Sequence, residues 1–214
     1  MDAAVREALR SRSDQIVDLR RIAYRLRRLT RLDSSVFPEV AADKTQTLSA
    51  VVVAVTAVLL SALGGWLWLI VDADGLSTGR IAVREFLLGS LFALALWVGW
   101  VLVAHMMLES VFGRHAERGR LFRAMGYATL PAAGALLMVI PAVAFALGLL
   151  SMMAWFAMSS AAIESAVPEA TRKEVLVANV AGFSLFTVIL SLLANAAGLA
   201  PGFFAHAADL SSYV

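Results

Sequence analysis

The chain has no cysteine, only five prolines, and charge on just 16% of its 214 residues. Without thiols a disulfide scaffold is impossible. Soluble domains carry about 25% charged residues, so a chain this poor in charge is unlike one. What replaces the missing charge is apolar. Hydrophobic residues make up 60% of the sequence and the mean hydropathy is +0.79, which also excludes disorder. These residues are bunched into long runs, the pattern of an all-α, polytopic membrane protein.

Motifs that carry chemistry are missing as well. There is no HExxH, no GxSxG, no Walker loop and no glycine cluster of the kind that cradles phosphate. His105 and Glu109 stand four apart on one helical face, where both can reach a metal or a proton path. They also lie at the end of a span, where side chains reach interfacial water, and a structural histidine is the simpler expectation. His115 and His206 fall on opposite sides of the membrane, so no three-histidine site assembles. No catalytic residue, metal site or cofactor is expected, and the protein is read as non-enzymatic.

A helix needs roughly 20 apolar residues to cross the hydrocarbon core. Five stretches satisfy this, at about 48–71, 86–108, 127–144, 147–166 and 175–199. The third and fourth form one run of some 40 residues, about 60 Å as a single helix. That run must fold back, and Pro141 with Gly148 brackets the expected turn. The chain therefore divides into a basic arm (1–47), a five-span domain (48–199) and a tail (200–214).

Arginine and lysine placement sets orientation. With five spans, sixteen of the eighteen basic residues fall on one side, and only Arg80 and Arg84 on the other. The arm is expected to be cytoplasmic in an inner membrane, with Val214 outside. A polar arm ahead of the first span predicts no cleavable signal peptide. Trp66 and Trp68 fit an outer interfacial belt, while Trp97, Trp100 and Trp155 fall mid-span and suit helix packing. Ala95 with Gly99, Ala128 with Ala132, and Ala178 with Gly182 have the spacing that lets helix backbones approach.

From Ile16 to Arg31 the arm reads as an amphipathic helix. Ile16, Leu19, Ile22, Ala23, Leu26 and Leu29 share one arc; Arg20, Arg21, Arg25, Arg27, Arg28 and Arg31 cover the other. Three roles fit this pattern. The helix can lie on anionic lipid, dock on a partner or on itself through a seam at 16, 19, 23 and 26, or simply cap the bundle. Val36-Phe37-Pro38-Glu39 is expected to turn the chain towards the membrane. Glu164 lies at the end of the fourth span and Asn179 and Asn195 in the fifth, and interhelical glue is expected of the asparagines. Nucleic acid is not an expected partner, because no aromatic platform interleaves the arginines.

Phe112-Gly113 closes a span and a basic loop follows, then Arg118-Gly-Arg-Leu-Phe-Arg-Ala-Met-Gly-Tyr-Ala-Thr-Leu-Pro131. Pro141 comes ten residues on, and Trp155 in the next span. This pattern, over roughly residues 86–195, resembles the bacterial branch of the Yip-domain family, five-span proteins named for interaction with Ypt/Rab GTPases. The resemblance implies a cytosolic arm, an extracytosolic C-terminus and Gly126, Tyr127 and Pro131 as motif residues at the mouth of the third span. The Asp-Leu-Tyr-Gly-Pro motif of the eukaryotic arm is absent, so the vesicle-traffic role of those members does not carry over. Sixteen arginines against two lysines point to a GC-rich, bacterial genome. The expected function is a binding or membrane-organising scaffold that works through its arm and bundle. The alternative is a small oligomeric carrier or channel-like protein.

Overall fold

The computed structural model describes residues 19–72 and 86–197 and, beyond them, Phe204. The loop arginines Arg80 and Arg84, Ile16, His206, the Asn195 side chain and the tail, apart from Phe204, lie outside the described residues. Every regular element described is helical. Two short helices come first, α1 (Leu19–Leu29) and α2 (Val36–Ala42). The α-helices that follow are α3 (Thr47–Asp72), α4 (Gly89–Met106), α5 (Arg118–Ala128), α6 (Ala144–Ala166) and α7 (Arg172–Ala197). Five helical segments are long and apolar enough to cross a membrane: Lys44–Val71, Phe86–Val111, Arg118–Val139, Pro141–Ala166 and Arg172–Ala194. The protein is a multi-pass, all-α bundle.

The third span changes helix type partway. α5 gives way at Thr129 to a 3₁₀ segment, Leu130–Val139, far longer than the three or four residues usual for that form. Pro131 sits at its start, where the missing N–H costs least. The first span packs chiefly on this segment, and the second span on α7. Gly64 makes the first contact possible: a Cβ there would collide with the Ala135 carbonyl oxygen. Gly182 does the same for the second, lying against the Trp100 ring and backbone.

Three boundaries differ from the sequence expectation. The third span starts at Arg118, not 127, because the charge of Arg123 is taken up inside the protein. The turn between spans three and four falls at Ile140-Pro141, where Ile140 is extended (φ −90°, ψ 101°) as a residue before proline prefers. Gly148 is therefore buried within α6 rather than in the turn. The fifth span begins at Arg172, stabilised by a capping box in which the Thr171 N–H donates to Glu174 at 2.7 Å and the Glu174 N–H to Thr171 Oγ1 at 3.4 Å.

The arm also departs from expectation. Val36-Phe37-Pro38-Glu39 opens a helix instead of a turn, with Pro38 tolerated in the first turn. The buried face of α1 is Ile22, Arg25 and Leu29, while Leu19 is 69% exposed and Ala23 is exposed. The seam through 19 and 23 thus lies outside the face that packs on the chain and stays exposed. The arm helix packs onto its own chain. Leu32 ends it in the left-handed conformation (φ 60°), with Asp33 N–H to Arg28 C=O and Leu32 N–H to Leu29 C=O, a Schellman closure in which leucine stands where glycine is usual.

Candidate functional site

The arm and the near ends of the spans meet in a network of charge. Arg25 donates to Glu39 from Nε (3.0 Å) and approaches the same oxygen with Nη2 (2.9 Å). Arg28 bonds Asp33 (2.8 Å), Glu39 (2.8 Å) and Ser35 (2.7 Å), and lies over the Tyr24 ring at 5.7 Å. Burial alone would pull the Arg25 pKa down, but its bonds to Glu39 and the adjacent Tyr127 hydroxyl raise it. The Arg28 bonds to Asp33 and Glu39 raise its pKa too. Ser35 and Arg28 hold Asp33 down at about 2, and Arg28 then Arg25 lower Glu39 against its partial burial. Arg25 and Arg28 are thereby engaged within the chain. Arg20, Arg21, Arg27 and Arg31 remain exposed.

Gly126 and Tyr127 lie beneath this network. A Cβ on Gly126 would stand 2.7 Å from the Ala50 Cβ, so glycine sets the approach of the third span to the first. Tyr127 is fully buried and donates to Gln46 Oε1 at 3.2 Å. One turn earlier Arg123, 4% exposed, donates from Nε (3.1 Å) and Nη2 (2.5 Å) to the Ala41 carbonyl at the end of α2. A buried arginine needs such partners. It pins the arm to the bundle.

The next groups knit the same end together. Arg114 donates to both oxygens of Glu174 at 3.0 and 2.8 Å, which raises its pKa and ties the loop after span two to span five. Gly113, at φ 65°, closes that span. His105 is 3% exposed; Arg118 Nε donates to its Nε2 at 2.8 Å, and Glu109 approaches the same nitrogen at 2.8 Å. Glu164 makes only a long, exposed pair with Arg172 (3.5 Å).

Deeper in the bundle, Asn179 joins three spans. Its Oδ1 accepts from the Trp100 indole (3.0 Å), and its Nδ2 donates to the Phe156 carbonyl (3.0 Å) and Ser160 Oγ (2.7 Å). Trp155 packs on Trp100 and Phe186 with centroids 5.3 and 5.2 Å apart, so the mid-span tryptophans serve packing as expected. Trp68 does not join an interfacial belt: it is buried against Ala135, Met138 and Ala144. Pro141 is exposed at the far turn, remote in sequence from the arm network. Among the described residues no group of three or more His, Asp or Glu is placed to hold a metal.

Sequence reasoning missed Glu39, Arg123 and Gln46. The Asp43-Lys-Thr-Gln46 pattern was a usable signal: Asp43 caps the start of the first span by accepting from the Thr45 N–H (3.0 Å), and the Gln46 amide donates back to it (3.2 Å). Nothing local flags Arg123, whose acceptor lies 82 residues away. No protein-family model, curated protein or solved structure matches the chain.

Proposed function

We propose that the chain is a non-enzymatic scaffold of the Yip-domain type in the inner membrane of a bacterium. Its arm is cytoplasmic and its C-terminus outside, and it binds other membrane proteins, copies of itself or anionic lipid through the arm. The observation that carries this reading is the bracing of α1. Arg25 and Arg28 close on Glu39 and anchor the helix, so exposed Arg20, Arg21, Arg27 and Arg31 are presented on a braced element rather than a loose tether. A braced basic face suits recognition, because little side-chain and backbone freedom is left to lose on binding. Five spans place sixteen basic residues on the arm side, which supports the orientation. Gly126 and Tyr127 sit where span three meets span one and the arm, as a structural motif would require.

The carrier alternative finds less support. The amide of Asn179 is satisfied by neighbouring spans, and the cavity beside Trp155 holds about 20 Å³, room for about one water. The test is a native pull-down in mild detergent with the full chain, a variant carrying Gln at positions 20, 21, 27 and 31, and Glu164→Ala. The scaffold reading expects a captured partner or anionic lipid to be lost only from the four-glutamine variant. Retention there would overturn it.

A further inference from the structure

At the arm end, a cleft of about 270 Å³ opens between the first, second and third spans. Val98, Val101, Leu102 and Phe122 form its walls, with His105 and Arg118 in its lining. Val98 and Leu102 are 38% and 46% exposed within a span of mean hydropathy 2.3, so the cleft communicates with the hydrocarbon side. It is an apolar slot with a cation at one end.

Two observations say what kind of molecule it takes. Arg118 has one partner, the His105 ring, and no carboxylate pairs with it among the described residues, so most of its guanidinium donors are uncommitted. It also begins α5, whose first amides lack intrahelical acceptors and whose N-cap residue Glu117 makes no side-chain cap. The second observation is His105 itself. Nε2 lies 2.8 Å from both Arg118 Nε and Glu109 Oε2, while Nδ1 is buried with no hydrogen-bond partner. A buried polar atom left unpaired is costly, and a hydrogen-bonding group of a ligand that reached the ring would relieve it.

We propose that this cleft binds one anionic phospholipid, an acyl chain against Val98, Leu102 and Phe122 and the phosphate on Arg118. Basic pockets between spans at a membrane surface suit lipid headgroups, and this one joins Arg118 to an apolar slot wide enough for an acyl chain. The site is separate from the exposed arginines of the arm and does not depend on their role.

The test is native mass spectrometry of the full-length protein, delipidated in mild detergent, in the background with Gln at positions 20, 21, 27 and 31. The probes are phosphatidylglycerol, phosphatidylcholine with the same acyl chains, and inorganic phosphate. The expected result is one retained phosphatidylglycerol, bound at least tenfold more tightly than phosphatidylcholine and not displaced by phosphate. Arg118→Gln is expected to abolish the headgroup preference, and Leu102→Trp, which fills the slot from its exposed wall, to weaken both lipids about tenfold. Thermal unfolding verifies that each variant is folded, and Leu102→Trp decides the matter if Arg118→Gln is not. Equal binding of the two lipids, displacement by phosphate, or lipid binding unchanged by Leu102→Trp would each overturn the proposal.

Discussion

The Trp100 indole N–H donates to the Asn179 carboxamide oxygen at 3.0 Å, joining the second span to the fifth where both side chains are fully buried. The same amide reaches Phe156 and Ser160 of the fourth span, so one residue holds three helices in register. Asn179→Ala strands the Trp100 indole N–H, while the Ser160 hydroxyl and Phe156 carbonyl keep their own bond at 3.3 Å, and should destabilise the folded protein by about 1–3 kcal/mol. Trp100→Phe removes one donor but keeps most of the packing, and should cost less. In a double-mutant cycle read by thermal unfolding in detergent, the coupling should be about 0.6–1.7 kcal/mol, the range of interhelical bonds in membranes. Strict additivity would mean the bond contributes nothing.

Gly126, Gly64 and Gly182 mark the places where helix backbones come closest. Alanine at 126 meets the Ala50 Cβ at 2.7 Å and its carbonyl oxygen at 2.9 Å. Because backbone cannot swing aside like a side-chain tip, each Gly→Ala change should cost about 1–3 kcal/mol. Gly99 is the control: its added methyl would meet only Leu185 at 3.5 Å, ordinary contact. Unfolding midpoints of the four single variants should separate Gly99→Ala from the other three.

Backbone strain yields predictions of opposite sign. Leu32 holds φ 60° with its side chain 85% exposed, so Leu32→Gly sheds a cost of about 1–2 kcal/mol and little packing. Gly's larger unfolded-state entropy offsets part of that gain, leaving a modest rise in stability. Gly113 has φ 65° and open space around it, so Gly113→Ala should lower stability by about 1 kcal/mol although nothing clashes.

How much of this was legible in the sequence differs by element. Five spans were readable because hydrocarbon thickness sets a length that apolar runs either meet or miss. The start of the third span was not readable, because Arg123 looks like a loop residue until its acceptor, Ala41, is brought from 82 residues away. Arg25 misled for the same reason: periodicity places it on the polar face, and only Glu39, 14 residues on, makes its burial tolerable. Gly126 and Tyr127 drew notice through the resemblance, yet their neighbours Ala50 and Gln46 carry no local mark. The cleft beside His105 is a product of three spans and has no counterpart in any one of them.

Acid should release α1 from α2. Asp33 is lowered from 3.8 to about 2 by Ser35 and Arg28, and Glu39 is lowered from 4.5, chiefly by Arg28. Carboxylates depressed by folding stabilise above their unfolded pKa and lose that contribution as pH falls through the folded one. Docking should therefore be constant around neutrality and weaken from about pH 4.5 towards pH 2. Glu39→Gln should mimic the acid effect at pH 7. Limited proteolysis within residues 19–32 across this range reads the transition.

A docked α1 with exposed arginines facing the cytoplasm is the central element of the proposed scaffold. The natural chain has no cysteine, so single cysteines can be placed at 22, 23, 27 and 29 and challenged with a membrane-impermeant maleimide. Sealed right-side-out and inside-out inner-membrane vesicles give the two faces. The account predicts reaction at 23 and 27 in inside-out vesicles only, at least tenfold faster than at buried 22 and 29. Equal rates at all four positions, or reaction from the right-side-out face, would contradict it.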